Sequence, residues 1–174
     1  MDSLLYCVMG SVRSMSQKKD EQISGGAEFH RKIAVECFNK TWDFLDKKSR
    51  NQDEDVQMLL ASHTSRYHWG HIGNAYNFAV GDWQISRVYA DLKQPALALL
   101  FAKSALDACE KNSVTDLLPS AYEGMARAYA TANNTEEAKR YLDMARRQLE
   151  LVKDEEDRKV YAQQIDETEA LLKK

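Results

Sequence analysis

The chain contains two stretches that repeat each other at a spacing of forty residues. Residues 85–90 read Ile-Ser-Arg-Val-Tyr-Ala, and residues 125–130 read Met-Ala-Arg-Ala-Tyr-Ala. After each tyrosine, alanines follow at the same two offsets, namely Ala98 and Ala105, then Ala138 and Ala145. Small residues at fixed offsets allow two antiparallel helices to approach closely, with the aromatic ring filling the space beside the crossing. Two copies of one helical hairpin predict a stack whose units bury their apolar faces against each other.

Composition favours an all-α protein without a catalytic centre. The chain has 174 residues, 44% of them hydrophobic, which is enough to bury a substantial core. Seven glycines and two prolines leave little material for the turns of a many-stranded β protein. The sequence has no Gly-rich phosphate loop, GxSxG elbow or Cys–His pair, so we expect no cofactor and no enzymatic activity.

Charge and cysteine usage limit the partners and the compartment. A net charge of −3 argues against a dedicated nucleic-acid binder, because phosphate contacts need a clustered basic surface. Cys7, Cys37 and Cys109 are odd in number and form no CxxC pair. This usage fits a reducing cytoplasm better than a disulfide framework, so we expect a cytoplasmic protein.

Residues 1–26 are predicted to be a flexible leader without an assigned function. Their apolar segment, 4–9, has no basic residue before it and is far too short to cross a bilayer. The small-residue pattern of a signal-peptide cleavage site is poor. We therefore expect no membrane contact from this segment.

Residues 27–174 are predicted to form a single helical-repeat domain. Breakers divide it into a degenerate hairpin, two repeat units and a charged capping helix, over 27–73, 74–112, 115–152 and 155–173. Acidic residues 53–55 suit a helix N-terminus, Pro95 suits a first turn, and Asp116 is the predicted N-cap of the fifth helix.

The first two helices carry predicted buried stripes at helical spacing. In the first helix the stripe comprises Phe29, Ile33, Cys37 or Phe38, Thr41, Phe44 and Leu45. In the second it comprises Val56, Leu59, Leu60, His63 and Tyr67. If this pair is a third repeat unit, Ala61, Ser65 and His68 take its small positions.

The two repeat units resemble the tetratricopeptide repeat (TPR) family over about residues 81–151. The family's small, tyrosine and alanine positions are matched by Ser86, Tyr89, Ala98 and Ala105, and then by Ala126, Tyr129, Ala138, Leu142 and Ala145. Residues 65–70 also resemble a segment of small bacterial proteins with such repeats. The resemblance implies a right-handed α-solenoid of antiparallel hairpins, about seven helices in all.

The chain departs from the family pattern at several positions. Phe101 and Tyr141 supply the second-helix aromatic one place early. The early tryptophan position holds Asp82 and Tyr122, the turn glycine is Lys93 and Asn133, and the closing proline is missing. The period is forty residues where the family has thirty-four, and the surplus fits the linker 112–118.

The resemblance also implies a binding groove, because the first helix of each TPR hairpin lines the concave side. By this register the predicted groove residues are Trp83, Arg87, Asp91, Ser120, Glu123, Arg127 and Thr131. Arg87 and Arg127 are equivalent, so their guanidinium groups should face one groove. A planar guanidinium suits carboxylates, which makes a protein or peptide with an acidic segment or a free chain terminus the expected partner. In the alternative interpretation each arginine pairs with a neighbouring acid, Asp91 or Glu123.

The carboxylate clamp of some TPR proteins is not carried over, because its lysine and asparagine positions do not match. Trp83 is the tryptophan expected in the groove, whereas Trp42 and Trp69 are expected to pack between helices.

Two other functions stay open. One is a small metal-binding protein or enzyme organised around His63, His68 and His71. His63 and His71 lie about 12 Å apart along a helix and cannot share an ion, which leaves His68 and His71 as the candidate ligands. The simpler expectation for His63 is packing with one hydrogen bond. The other function is a self-associating structural protein, for which a homodimer is expected.

Overall fold

The computed structural model describes residues 25–173, which form seven α-helices and one short 3₁₀ helix, with no strand in that range. The α-helices are α1 (25–45), α2 (Gln52–Ile72), α3 (Ala75–Asp91), α4 (Pro95–Lys111), α5 (Leu118–Thr131), α6 (Thr135–Leu149) and α7 (Glu155–Leu171). The all-α prediction is therefore confirmed for the described residues. Residues 1–24 of the predicted leader lie outside them, and α1 already includes Gly25 and Gly26.

Side-chain caps begin most of these helices. Asn51 and Asn74 each form a capping box with the residue three positions later, and Asn134 and Asp154 accept backbone hydrogen bonds at the starts of α6 and α7. The prediction for Asp116 is wrong. This residue lies within the 3₁₀ helix Thr115–Leu117, and α5 begins after Leu117 without a side-chain cap.

The turns after α3 and α5 share one backbone geometry. Lys93 and Asn133, at the position of the family's turn glycine, have φ angles of 59° and 58°. In both turns the next residue donates its N–H to the carbonyl of the tyrosine, at 2.8 Å from Gln94 to Tyr89 and 2.9 Å from Asn134 to Tyr129. These are Schellman motifs, which satisfy carbonyls at a helix end. The forty-residue sequence repeat is thus also a repeat of local structure.

Side-chain packing repeats in the same way. Tyr89 stacks on Phe101 with ring centroids 5.7 Å apart, and Tyr129 stacks on Tyr141 at 5.5 Å. The alanines beside these pairs are fully buried at Ala98, Ala105, Ala138 and Ala145. Each hairpin therefore closes on small residues, with an aromatic pair beside the crossing.

The forty-residue register continues into α2 and α7. Met58, Ser62 and Ser65 precede Ala98, Ala102 and Ala105 by forty positions, and all six side chains are buried. Ile165 follows Met125 by forty and is buried as well.

The predicted buried stripe of α2 is therefore wrong at three of its five residues, whereas Leu59 and His63 are partly buried. Val56, Leu60 and Tyr67 are 46%, 56% and 65% exposed, because α2 presents its small face to the hairpin crossing. Of the small positions predicted for this helix, Ser65 is buried, whereas Ala61 and His68 are partly exposed.

Each helix from α2 onward packs against the next, and alternate helices also touch, since α3 contacts α5 and α5 contacts α7. At the other end, Ser65 of α2 donates a hydrogen bond to the Ala34 carbonyl, and Gln84 of α3 donates one to the Phe38 carbonyl. These two bonds attach α1 to both neighbours. In α1 the predicted stripe is buried at Thr41 and Phe44, but Phe29 is 57% exposed.

Candidate functional site: a cleft between four helices

A cleft of about 110 Å³ lies between the odd-numbered helices. Its walls include Trp42 and Leu45 of α1, Arg87 and Asp91 of α3, Arg127 and Thr131 of α5, and Leu171 of α7. These four helices are separated in sequence by the even-numbered ones, so the side chains converge through tertiary packing. Four of the seven predicted groove residues, Arg87, Asp91, Arg127 and Thr131, line this cleft.

Three equivalent positions form a charged row on α3, α5 and α7. Arg87, Arg127 and Glu167 follow one another at intervals of forty residues. The Arg87 Nη2 atom donates to Glu167 Oε2 at 2.7 Å, and Arg127 Nη2 lies 3.7 Å from the same oxygen. One carboxylate therefore bridges both guanidinium groups. Sequence reasoning missed Glu167, although the forty-residue period points to it.

The environment of Glu167 keeps it charged. Partial burial alone would raise its pKa, but hydrogen bonds from Arg87 and Gln163, together with the charges of Arg87 and Arg127, lower the pKa below its ordinary value.

A second carboxylate, that of Glu123, holds the Arg127 side chain in position. Glu123 is fully buried, and its Oε1 atom accepts a hydrogen bond from Arg127 Nε at 2.7 Å. The same carboxylate accepts hydrogen bonds from the Trp83 indole, at 3.1 Å, and from the Thr168 hydroxyl. Since its acceptors are shared among three helices, Glu123 is a structural anchor of the arginine.

Three predicted groove residues are not accessible to a ligand in this structure. Trp83 is 5% exposed and Ser120 is 2% exposed, and Glu123 is fully buried. Ser120 donates to Gln164 of α7 at 2.8 Å. Ser120 and Glu123 bond to Gln164 and Thr168 of α7, so that helix covers them. Trp83 lies against Trp42 of α1 and donates to Glu123 of α5.

Two of the tryptophans do not lie where they were expected, because Trp42 lines the cleft and Trp83 is buried. Trp42, which was expected to pack between helices, lines the cleft and contacts the Trp83 ring at 5.9 Å. The Arg87 guanidinium carbon lies 5.2 Å from the centre of the Trp42 ring, within cation–π range.

The expected pairing of each arginine with a neighbouring acid is correct only for Arg127 and Glu123. Asp91 forms an ion pair with Arg50 instead of Arg87. Arg50 also donates to Asp55 and to the Phe44 carbonyl, so it holds the loop between α1 and α2 against α3.

The arginines retain unused hydrogen-bonding capacity. The Arg87 Nη1 and Arg127 Nη2 atoms are buried and find no hydrogen-bond acceptor within residues 25–173. Buried N–H groups are nearly always paired with protein, water or ligand, so both are donors for a group that displaces the side chains covering them. These donors suit an anion, although Asp46 and Asp91 on the walls and the bridging Glu167 offset the charges of Arg87, Arg127 and Lys93.

A second, apolar hollow of about 150 Å³ lies at the other ends of α1 and α3. Its walls include Val35 and Phe38 of α1, Trp69 of α2, and Tyr76 and Val80 of α3. It contains no charged side chain, which distinguishes it from the cleft.

The histidines divide into two environments. His63 Nε2 lies 3.0 Å from the Tyr89 hydroxyl and its ring packs against Phe101, as predicted for a packed histidine with one hydrogen bond. His68 and His71 meet His30 of α1, whose Nδ1 lies 3.1 Å from that of His68.

The His30 and His71 ring centroids lie 4.2 Å apart, with the rings tilted by 30°. No group of three or more His, Cys, Asp or Glu side chains in the described part of the chain is arranged to hold a metal ion. The geometry gives the metal hypothesis no support.

Comparisons with family models, curated proteins and solved structures found no match to this chain. Within residues 25–173, none of the helices combines the length and apolar character that crossing a bilayer requires.

Proposed function

We propose that the protein is a non-enzymatic interaction module of the tetratricopeptide type. In this proposal the hairpins α1–α2, α3–α4 and α5–α6 form a right-handed stack, and α7 closes its end. The support is the forty-residue register of buried residues from Met58 to Ala138, together with the repeated turns at Lys93 and Asn133. The odd-numbered helices then form the concave side.

The ligand in this proposal is an acidic peptide segment of a partner protein. The observation that carries the proposal is that Arg87 Nη1 and Arg127 Nη2 have no hydrogen-bond acceptor within residues 25–173, although Arg127 Nη2 lies 3.7 Å from Glu167. Both side chains line a cleft large enough for one acidic side chain or chain terminus. Charged donors on rigid helices recognise carboxylates with little reorganisation. Because the cleft is small and partly neutralised, the expected affinity is weak for a short peptide.

A fluorescence titration tests this function, since Trp42 lies against Arg87 and reports on the cleft. The probe is a capped hexapeptide with two central glutamates, and the matched probe has two central glutamines. The glutamate peptide should change the emission and bind more weakly as salt rises, because screening weakens charge attraction. The Arg87→Gln variant should lose this binding.

Arg140→Gln is the matched control, because Arg140 is an exposed arginine of α6 whose one ion pair within residues 25–173 is with Glu137. Equal binding of both peptides, or unchanged binding by the Arg87→Gln variant, would contradict the proposed function.

Self-association is a second candidate, favoured by one observation. Leu60 of α2 and Leu100 of α4 are forty residues apart and are 56% and 60% exposed. Such a face suits a second copy of this chain. Sedimentation equilibrium should then give a dimer mass that the Leu60→Glu variant reduces to the monomer mass.

A further inference from the structure

Glu167 holds the place that a ligand's carboxylate would take. It is the third member of the row that begins with Arg87 and Arg127, and its Oε2 atom lies within ion-pair distance of both. Its side chain is 41% exposed, whereas those of Arg87 and Arg127 are 15% and 11% exposed. Glu167 is thus the more exposed member of these ion pairs, and the two arginines are the more buried members.

The helix that carries Glu167 is firmly attached. Tyr161, Ile165 and Thr168 of α7 are buried against its neighbours. Besides its contacts with Arg87 and Arg127, the Glu167 side chain has one hydrogen bond within residues 25–173, which the Gln163 amide of its own helix donates at 3.0 Å. Rotation of one side chain can therefore vacate the arginines while α7 stays in place.

We propose that Glu167 is an intramolecular stand-in for the ligand, and that an acidic group of the partner replaces it at Arg87 and Arg127. This inference rests on the proposed function and adds a regulatory element to the same site. While no ligand is bound, Glu167 keeps the two guanidinium groups charge-neutralised and aligned. A ligand that takes the place of Glu167 competes with it for the Arg87 Nη2 atom, so a peptide that makes further contacts, such as one with the unbonded Arg87 Nη1 atom, is favoured over a lone anion.

Replacing Glu167 by its uncharged isostere tests the inference. The Glu167→Gln variant removes the competing charge and the like-charge repulsion, so the glutamate hexapeptide should bind about tenfold more tightly than to the wild type, a change of about 1.4 kcal/mol. The substitution lies on an exposed side chain, and circular dichroism should show an unchanged helical spectrum.

Glu169→Gln is the matched control on the same helix. Glu169 pairs with Arg146 and Lys173, outside the cleft. This variant should bind the peptide as the wild type does. If both variants tighten binding equally, the effect is one of overall charge and the inference is overturned.

The remaining outcomes separate the inference from the proposed function. If the wild type binds the glutamate peptide and Glu167→Gln binds it no more tightly, Glu167 is not a competitor, although the cleft still binds acids. If neither protein binds the peptide, the proposed function fails and the inference fails with it.

Discussion

Arg87 and Glu167 lie eighty positions apart in the sequence, yet the Arg87 Nη2 atom donates to Glu167 Oε2 at 2.7 Å. The contact joins the first and the third helix of a forty-residue series, and Arg127 of the second helix lies 3.7 Å from the same oxygen. A repeat that places two arginines on one face thus also supplies the acid that neutralises them. The side chains that are proposed to recognise the ligand therefore also pair with each other within the fold.

The two arginines should differ in their effect on stability. Arg127→Ala leaves the fully buried Glu123 without its cationic partner, and loss of one member of a buried pair costs about 3–5 kcal/mol. Trp83 and Thr168 still donate hydrogen bonds to Glu123, which should keep the loss in the free energy of unfolding at about 3 kcal/mol. Arg87→Ala breaks a partly exposed pair and should cost about 1 kcal/mol or less.

Urea unfolding of both variants measures this difference. Combining Arg127→Ala with Glu123→Gln should recover part of the lost free energy, because no buried charge is then left unpaired. Equal losses for the two single variants would show that Glu123 does not depend on Arg127. Binding experiments should therefore use Arg87 variants, which leave the fold intact.

Larger side chains at the helix crossings should destabilise the protein. Ala98 and Ala138 are fully buried, and the Ala98 carbonyl accepts a hydrogen bond from the Ser86 hydroxyl at 2.8 Å. Replacing either alanine by leucine overpacks the crossing and should cost about 1–3 kcal/mol in the free energy of unfolding. Lys103→Leu, at an exposed position of α4, is the control and should be near neutral. Equal effects at all three positions would contradict the hairpin register.

Stability should fall as the pH drops below about 6.5. Burial lowers the pKa of His63, and partial burial together with the charges of His71 and His68 lowers the pKa of His30. The unfolded chain therefore takes up protons before the folded protein does, so acidification favours unfolding between the ordinary pKa and the lowered ones.

Histidine NMR titration and urea unfolding at several pH values check this. Both histidines should titrate below pH 6.5 in the folded protein, and the free energy of unfolding should decrease from pH 7 to pH 5.5. A titration of His63 above its ordinary pKa would contradict the packed environment described for it.

The sequence predicted the parts of the fold that depend on local pattern. Start and stop residues such as Pro95 and Asn134 mark helix ends, and the repeated alanines predict the crossings. The prediction for α2 failed at its most hydrophobic residues, including Leu60, because they are exposed to solvent. The buried face of α2 consists mainly of small side chains. Extending the forty-residue period backward would have added Met58 and Ser62 to Ser65, which was already predicted at a small position.

The candidate site was predicted in part for the same reason. Arg87 and Arg127 share a face because they share a register, but the role of α7 as a third member of the series was not seen, so Glu167 was missed. The forty-residue repeat does not predict contacts between residues that occupy different positions in it. The meeting of His30 with His68, and the pairing of Asp91 with Arg50, depend on how the first hairpin packs.

The most direct measurement of the central claim is an NMR map of the binding site for the glutamate hexapeptide. The account predicts that the largest shifts occur at the Trp42 indole and at the Arg87 and Arg127 side chains. The matched glutamine peptide should leave these signals in place. Shifts that cluster around Leu60 and Leu100, or peptide binding that leaves the Arg87 signal unmoved, would contradict recognition in the cleft.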